Sequence, residues 1–155
     1  MLNVKKEQKG NTLIVRIIGS IEESTNLDQL IGPPPAELHV YCKEIPRINS
    51  LGVRAWIRYF QAARTKGTVI KLFECSTAVI EQINFIANFA AGIEVDSLCV
   101  PFSCTSCHTE LIGIFKTTDL KKMKLKLPEL KCTKCGNKAI FDDIPEEYFG
   151  FLLRE

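Results

Sequence analysis

Two short cysteine pairs in the last third of the chain place the strongest constraint on its fold. Each pair has the spacing Cys-x-x-Cys, and the four residues are Cys104, Cys107, Cys132 and Cys135. A turn of this kind directs two sulfur atoms at one ion, and two such turns complete a tetrahedral shell of thiolates. Gly136 follows the second pair, where a tight turn favours glycine. The pattern predicts one structural zinc ion (Zn2+) in a C-terminal zinc ribbon, and Cys132→Ser should then unfold the chain from about residue 104 onward.

Other chemistries for paired cysteines remain open at this point. A disulfide or dithiol redox pair usually lies alone at a helix N-terminus, where the thiol pKa is lowered. Here two pairs lie in strand-rich surroundings, which favours a metal, although four thiolates can also hold iron. His108 adjoins Cys107, but four cysteines already complete the shell, so we interpret the histidine as a bystander. A closed shell leaves no position for water, so the zinc is expected to be structural and not catalytic.

Composition sets the size of what the chain can build. The chain has 155 residues, of which 46% are hydrophobic, and a formal net charge of +2. That length allows one ordinary core plus a small metal-stapled module, and the charge alone indicates neither nucleic acid nor membrane. The first residues lack the apolar core of a signal peptide, and no apolar run is long enough to span a bilayer. We therefore expect a cytoplasmic protein that does not insert into a membrane, in a compartment where thiols stay reduced.

Hydrophobic periodicity predicts an α/β fold for the first two thirds. Strands are expected at 2–8, 12–18, 38–42, 68–73 and 93–102, and helices at about 51–66 and from Ser76 or Thr77, in the order β-β-β-α-β-α-β. The triple proline at 33–35 excludes a long helix there. Strands alternating with helices indicate a mixed sheet with packed helices. We predict an α/β domain over 1–100 and a small zinc-ribbon module over 101–155.

The same periodicity predicts the core. The expected helical core residues are Val53, Trp56, Ile57, Phe60, Ile80 and Ile83, and those on the facing strands are Ile14, Val40, Ile70 and Leu72. Three further cysteines, Cys42, Cys75 and Cys99, lie in or beside apolar strands. We interpret them as small buried hydrophobic residues.

A lysine-rich segment lies between the cysteine pairs. Its lysines, with one inside the second pair, are Lys121, Lys122, Lys124, Lys126, Lys131 and Lys134. They could contact phosphates, so a nucleic-acid-binding adaptor is the alternative function. Few aromatic residues are interleaved with them, and acidic residues follow at 142–147. A solvated hairpin face, formed by two strands and a lysine-rich turn within the 24-residue spacer, is therefore the preferred interpretation.

The segment from about residue 2 to 100 resembles the STAS family, named for sulfate transporters and anti-sigma-factor antagonists. The resemblance depends on the opening hairpin, the run Gly19-Ser20-Ile21-Glu22-Glu23-Ser24-Thr25, the strand ending Glu74-Cys75-Ser76, and the unit Ile48-Asn49-Ser50-Leu51-Gly52-Val53. The family implies a sheet flanked by helices and a role in binding other proteins, often switched by serine phosphorylation. Anchored on Gly52, the family's acidic position holds Asn49 and its phospho-acceptor position holds Leu51.

The resemblance and the residues together predict a partner surface. We expect the loop 47–51 and the start of its helix to contact a protein partner, through Asn49, Ser50, Leu51, Arg54 and Arg58. Ser50 is interpreted as the helix N-cap, with phosphorylation of Ser50 as the alternative. The chain has only two histidines and no phosphate loop or paired-carboxylate motif, so we expect a non-catalytic protein-binding module in signalling or transcription regulation, and not an enzyme.

Overall fold

The computed structural model describes residues 2–22 and 25–154, so Glu23 and Ser24 of the run at 19–25 lie outside the described residues. The first part of the chain forms β1 (Asn3–Lys9), β2 (Thr12–Ile18), α1 (Leu27–Ile31), β3 (Glu37–Glu44), α2 (Ser50–Thr65), β4 (Val69–Phe73), α3 (Thr77–Phe85) and β5 (Glu94–Val95). The second part forms β6 (Ser97–Cys104), β7 (Glu110–Lys116), α4 (Thr117–Lys122), β8 (Leu130–Lys131), β9 (Lys138–Phe141), α5 (Pro145–Tyr148) and α6 (Gly150–Leu153). The α/β fold with a mixed sheet is confirmed.

The first sheet follows the chain order, β1-β2-β3-β4-β5. β1 and β2 form an antiparallel hairpin, and β2 to β5 run parallel. Successive right-handed crossovers that always step in the same direction place their helices on one face of the sheet. The burial pattern agrees, since Val15, Val40 and Leu72 are fully buried and their neighbours on the opposite face are only half-buried.

The expected core position of Ile14 is wrong. β2 pairs Val15 with Val40 and Ile14 with His39, so Ile14 points to the face that lacks helices. Val15 and Ile17 supply the core contacts of this strand and are fully buried. In Thr12–Ile18, apolar residues occupy both the odd and the even positions, and therefore both faces of the strand. Hydrophobicity alone thus does not determine which face of β2 packs against the helices.

Helix α2 carries the largest buried side chains. Val53, Trp56 and Phe60 are buried as predicted, and Ile57 packs against the same core from a half-buried position. Gly67 follows the helix with φ of 93°, the left-handed conformation that ends many helices. The prediction that Ser50 caps the helix is wrong, because the side chain of Asn49 accepts a hydrogen bond from the amide of Gly52 at 2.7 Å.

Helix α3 matches its prediction. The hydroxyl of Ser76 accepts a hydrogen bond from the amide of Val79, so Ser76 is the N-cap. Val79, Ile80 and Ile83 are buried on one side of the helix. The short helix α1 ends at Ile31, before the triple proline.

The single strand expected over 93–102 is instead two strands in two sheets. β5 pairs with β4 in the first sheet, whereas β6 pairs with β7 and β9 in the second. Asp96 lies between them. Its amide donates to the carbonyl of Leu72, and its carbonyl accepts from the amide of Thr117. The backbone of Asp96 is thus bonded to β4 of the first sheet and to the residue that follows β7 of the second, and the chain passes from one sheet to the other at this residue.

The second sheet has the order β7-β6-β9-β8. A hairpin with a lysine-rich turn was expected between Cys107 and Cys132, but β7 pairs with β6, and α4 separates β7 from β8. One cluster of buried residues includes Trp56 and Leu72 from the first part and Phe102, Leu120 and Phe149 from the second. Within the described residues, none of the helices combines the length and apolar character needed to cross a membrane.

Candidate metal centre and partner surface

The four predicted cysteines converge on one point. Cys104 ends β6, Cys107 lies in the following turn, and Cys132 and Cys135 lie between β8 and β9. All four sulfur atoms lie within 4.8 Å of one another. Cys104 and Cys132 are buried, and Cys107 and Cys135 are exposed. The cluster could hold a metal ion, as the spacing predicted.

Strand pairing brings the two cysteine turns together. β6 and β9 are antiparallel, with Cys104 opposite Ala139, and the amide of Thr105 donates to the carbonyl of Lys138. The second turn is closed by the amide of Gly136, which donates to the carbonyl of Cys132 at 2.9 Å. Gly136 has φ of 79°, so a residue with a side chain would be strained at this turn.

Backbone amides point at the sulfur atoms, as expected for thiolate ligands. The amides of Ser106 and Cys107 lie 3.4 Å from Cys104 Sγ, and the amide of Lys134 lies 3.4 Å from Cys132 Sγ. Hydrogen bonds from the amides of Cys135 and Lys134 lower the pKa of Cys132. Donors around a thiol favour its charged form, which is the form that binds metal.

Two polar residues beside the cysteines were missed from the sequence. The hydroxyl of Thr109 lies 3.0 Å from Cys107 Sγ, and the side-chain and backbone hydrogen bonds of Thr109 lower the pKa of Cys107 to about 6. The side-chain amide of Asn137 donates to Cys135 Sγ at 3.5 Å. Both residues stand two positions after the second cysteine of a pair. That shared position is the signal that could have identified them.

The remaining cysteines and His108 lie outside the cluster. Cys42, Cys75 and Cys99 are buried, which confirms their predicted place in the core, and burial raises the pKa of Cys75 and raises that of Cys99 to about 11. The group of candidate metal ligands found among the described residues contains the four cysteines and not His108. The backbone amide of His108 donates to the carbonyl of Cys104, so this residue helps to shape the turn.

The predicted partner residues share one exposed region at the start of α2, which we call the α2 start surface. Leu51 is 43% exposed, so it does not pack inward. The other members are also exposed: Asn49, Ser50, Arg54 and Arg58. The Asn49 side chain already accepts the hydrogen bond of the Gly52 amide. This helix N-terminus therefore offers an anion one amide donor fewer.

The loop that carries this surface is held firmly to the preceding segment. The amide of Ile21 donates to the carbonyl of Arg47, and the amide of Asn49 donates back to the carbonyl of Ile21. A Cβ atom placed on Gly52 would lie 2.1 Å from that same Ile21 carbonyl oxygen. The close approach of the helix to residue 21 therefore requires glycine at position 52.

The lysines of the C-terminal part lie at the surface. All six are exposed, on α4, on the segment after it, on β8 and in the second cysteine turn. Glu129 forms an ion pair with Lys138 beside them. The exposed side chains of these lysines are thus accessible to phosphate groups, which supply most of the affinity of proteins for nucleic acids.

Comparison with known proteins adds no family assignment. No protein-family model matches the chain, and no curated protein matches it in sequence. The geometry described above is thus the basis on which a function can be proposed.

Proposed function

We propose that the four cysteines bind one structural zinc ion and that the chain is a non-catalytic protein-binding module, whose partner contacts the α2 start surface. The metal part is supported by the convergence of four thiols within 4.8 Å and by the amides directed at two of the sulfurs. Zinc favours a closed tetrahedral shell of four thiolates, and such a shell has no open position for a substrate.

The protein-binding part is carried by one observation, the exposed Leu51 on a rigid support. A large apolar side chain that is 43% exposed contributes more to binding when its backbone is already ordered, because association then costs less conformational entropy. The hydrogen bonds between Ile21 and the 47–49 loop supply that order. Apolar anchors surrounded by polar residues are typical of protein interfaces.

The flanking charges indicate what the partner offers. Arg54 and Arg58 lie one turn apart on the exposed side of α2. A partner with an apolar pocket for Leu51 and carboxylates beside it would complement this surface. The resemblance to STAS proteins supports the same location. Since Leu51 occupies the acceptor position and cannot be phosphorylated, the interaction is proposed to be constitutive, with Ser50 as the remaining candidate phosphosite.

The test has two stages. A pull-down from native lysate with mass spectrometry identifies the partner, and variants are then assayed against it. Leu51→Asp should abolish binding while metal content and melting temperature stay nearly unchanged, and Ser50→Ala should leave binding intact. Leu153→Asp is the matched control, because Leu153 is an exposed leucine (57%) that lies on α6 and outside the α2 start surface. Normal binding by folded Leu51→Asp would place the surface elsewhere, with the zinc ribbon as the next candidate.

Nucleic-acid binding is the second candidate, favoured by the exposure of all six lysines. Contacts between lysine and phosphate weaken as salt concentration rises, because bound counterions are released on association. A titration with single- and double-stranded DNA and RNA at several salt concentrations separates the two functions. The protein-binding proposal expects no measurable binding near physiological salt.

A further inference from the structure

Strand β7 is an open sheet edge of unusual character in this chain. It lies at the end of the second sheet and spans seven residues, Glu110–Lys116. The other outer strands of the two sheets are protected: β1 carries lysines at 5, 6 and 9, and β5 and β8 have two residues each. Charges and short length are the usual means of preventing edge-to-edge pairing. The interior of β7, Leu-Ile-Gly-Ile-Phe, has neither charge nor proline.

The hydrogen bonds at the two ends of the β6–β7 ladder show which backbone groups of β7 face β6 and which face the open edge. The amide of Cys104 donates to the carbonyl of Thr109, and the amide of Thr117 donates to the carbonyl of Asp96. In an antiparallel ladder, bonded and non-bonded pairs alternate. Leu111, Gly113 and Phe115 therefore direct their backbone groups toward β6. Glu110, Ile112, Ile114 and Lys116 direct theirs away from it, along the open edge.

We propose that β7 pairs with β7 of a second copy of this chain, antiparallel, about a two-fold axis at Gly113. In this register Glu110 lies opposite Lys116 of the second copy, and Ile112 lies opposite Ile114. The outward-bonding residues then face outward-bonding residues, so each of these pairs can exchange both N–H···O bonds. The two four-stranded sheets become one continuous sheet. This surface is separate from the α2 start surface, so the inference does not depend on the proposed function.

The side chains match on both faces of this pairing. Ile112 and Ile114 are 52% and 44% exposed, and pairing places each against the other's equivalent in the second copy. Leu111 and Phe115, which are half-buried on the opposite face, also come opposite one another. Cross-strand apolar pairs of this kind stabilise antiparallel sheets. The surface that is exposed in one chain thereby becomes covered in the pair.

Charge selects this register over its neighbours. The strand has a carboxylate at one end and an ammonium group at the other, so only pairing centred at Gly113 brings Glu110 and Lys116 opposite each other at both ends. A shift of two residues would leave both charges without opposite partners. Within residues 2–22 and 25–154, neither side chain takes part in an ion pair of its own chain. A symmetric interface between two copies of one chain requires a surface that is complementary to itself in this way.

The experiment measures mass in solution. Sedimentation velocity of the purified full chain should show a species of twice 17.4 kDa, with a fraction that grows with concentration. Glu110→Lys and Lys116→Glu should each shift the protein to monomer, because each places like charges opposite one another. An equimolar mixture of the two variants should restore the dimer, since every lysine at one position then faces a glutamate at the other. Lys126→Glu, a control at an exposed lysine outside β7, should leave the dimer unchanged.

A backbone variant tests the hydrogen bonds themselves. Ile112→Pro removes an outward amide that the β6 ladder does not use, and proline is tolerated at such edge positions. It should abolish the dimer with an unchanged circular dichroism spectrum. If Ile112→Pro misfolds, the charge variants alone test whether β7 pairs with its copy. Two results would overturn the proposal: a chain that is monomeric at every concentration, or a dimer that survives in both charge variants separately. The partner of the β7 edge would then be an extended segment of a different protein.

Discussion

The side-chain amide of Asn84 donates a hydrogen bond to the main-chain carbonyl of Tyr148 across 3.0 Å. Its oxygen accepts from the amide of Phe151 at 2.9 Å. One side chain of α3 thus holds both C-terminal helices, α5 and α6, against the first part of the chain. The hydroxyl of Tyr148 adds a bond to the carbonyl of Cys99 on β6. The C-terminal segment is therefore anchored by contacts independent of the cysteine cluster.

Replacing Asn84 should release this anchor. Asn84→Ala removes a partner from two backbone groups, and an unsatisfied buried group costs about 1–3 kcal/mol. We expect a loss of that size in the free energy of unfolding, measured by urea denaturation, and faster amide exchange at 148–152. Asn88→Ala, an exposed position close in sequence, is the control and should change little. Equal stability of the two variants would show that the anchor contributes nothing.

Removing the metal should have a local effect. The sequence alone suggested that Cys132→Ser unfolds everything from about 104, but Tyr148, Phe149 and Phe151 belong to the common core. We now expect exchange to rise at 105–109 and 130–138 while 148–152 stays protected. Purified protein should contain about one zinc per chain, and the cysteine turns should depend on it for their folding, since structural zinc sites contribute on the order of 10 kcal/mol.

The control for this experiment is His108→Asn, which keeps a residue that tolerates the positive φ of 60° found at this position. It should retain the full metal content, because His108 lies outside the cluster. Zinc-free protein with the four cysteines in disulfides would refute the metal assignment. Iron instead of zinc would leave the fold assignment intact and correct the ion.

Some features could be predicted because they depend on local spacing. The cysteine cluster required only two turns of fixed geometry, and the buried face of α2 follows from a period of 3.6 residues. The features that were missed depend on distant partners. The side of β2 that faces the helices is fixed by its pairing with β3, which places Ile14 beside His39. No pattern within seven mostly apolar residues contains that information.

The change of sheet at Asp96 is a second example. The residue bonds Leu72 on one side and Thr117 on the other, and both partners lie more than twenty positions away along the chain. Hydrophobic periodicity did not identify this switch, because a strand of two residues, Glu94–Val95, is too short to show a period of its own. The Asn49 cap was missed for a smaller reason, since asparagine and serine are about equally good caps and stand side by side here.

Acid should weaken metal binding. The hydrogen bonds of Thr109 hold the pKa of Cys107 at about 6, below its ordinary value of 9.0. A group with a lowered pKa in the folded state contributes stability at high pH and loses it as pH falls through that lowered value. Protons also compete with the metal for all four thiolates. A competition titration with a chromophoric chelator should show affinity falling steeply from about pH 7.5 to about pH 5.5.

The matched variant is Thr109→Val, which keeps the size and β-branching of the side chain but removes the hydroxyl. It should raise the pKa of Cys107 and move the loss of affinity to higher pH, because the thiolate then lacks its closest donor. Thr105→Val is a poor control, since the Thr105 hydroxyl bonds Lys138, whereas the exposed Thr133 offers a better one. An unchanged pH profile in Thr109→Val would show that Thr109 does not tune this ligand.

The single tryptophan should be the largest individual contributor to the core. Trp56 is fully buried, stacks on Phe89 with ring centroids 4.7 Å apart, and donates its indole N–H to the Phe89 carbonyl. Trp56→Ala should cost about 3–5 kcal/mol of unfolding free energy. Trp56→Phe keeps most of the apolar contact and should cost less. Because the chain has one tryptophan, its fluorescence reports this site directly, and an emission maximum typical of a water-exposed indole would contradict the assigned helix register.

Gly52 tests whether the α2 start surface depends on its support. Its φ does not lie in the left-handed region, so glycine is needed here for space and not for backbone freedom. A Cβ would lie 2.1 Å from the carbonyl oxygen of Ile21, a backbone atom that cannot rotate away. Gly52→Ala should therefore push α2 off residue 21 at a cost of about 1–3 kcal/mol, although alanine is the better helix former.

Gly52→Ala should also weaken partner binding, because Leu51 moves with the helix. Ser50→Ala, at an exposed position two residues earlier in the same helix, is the control for both measurements. A Gly52→Ala protein as stable as the original would show that α2 does not approach residue 21 this closely, and the rigid support proposed for Leu51 would then lack its basis.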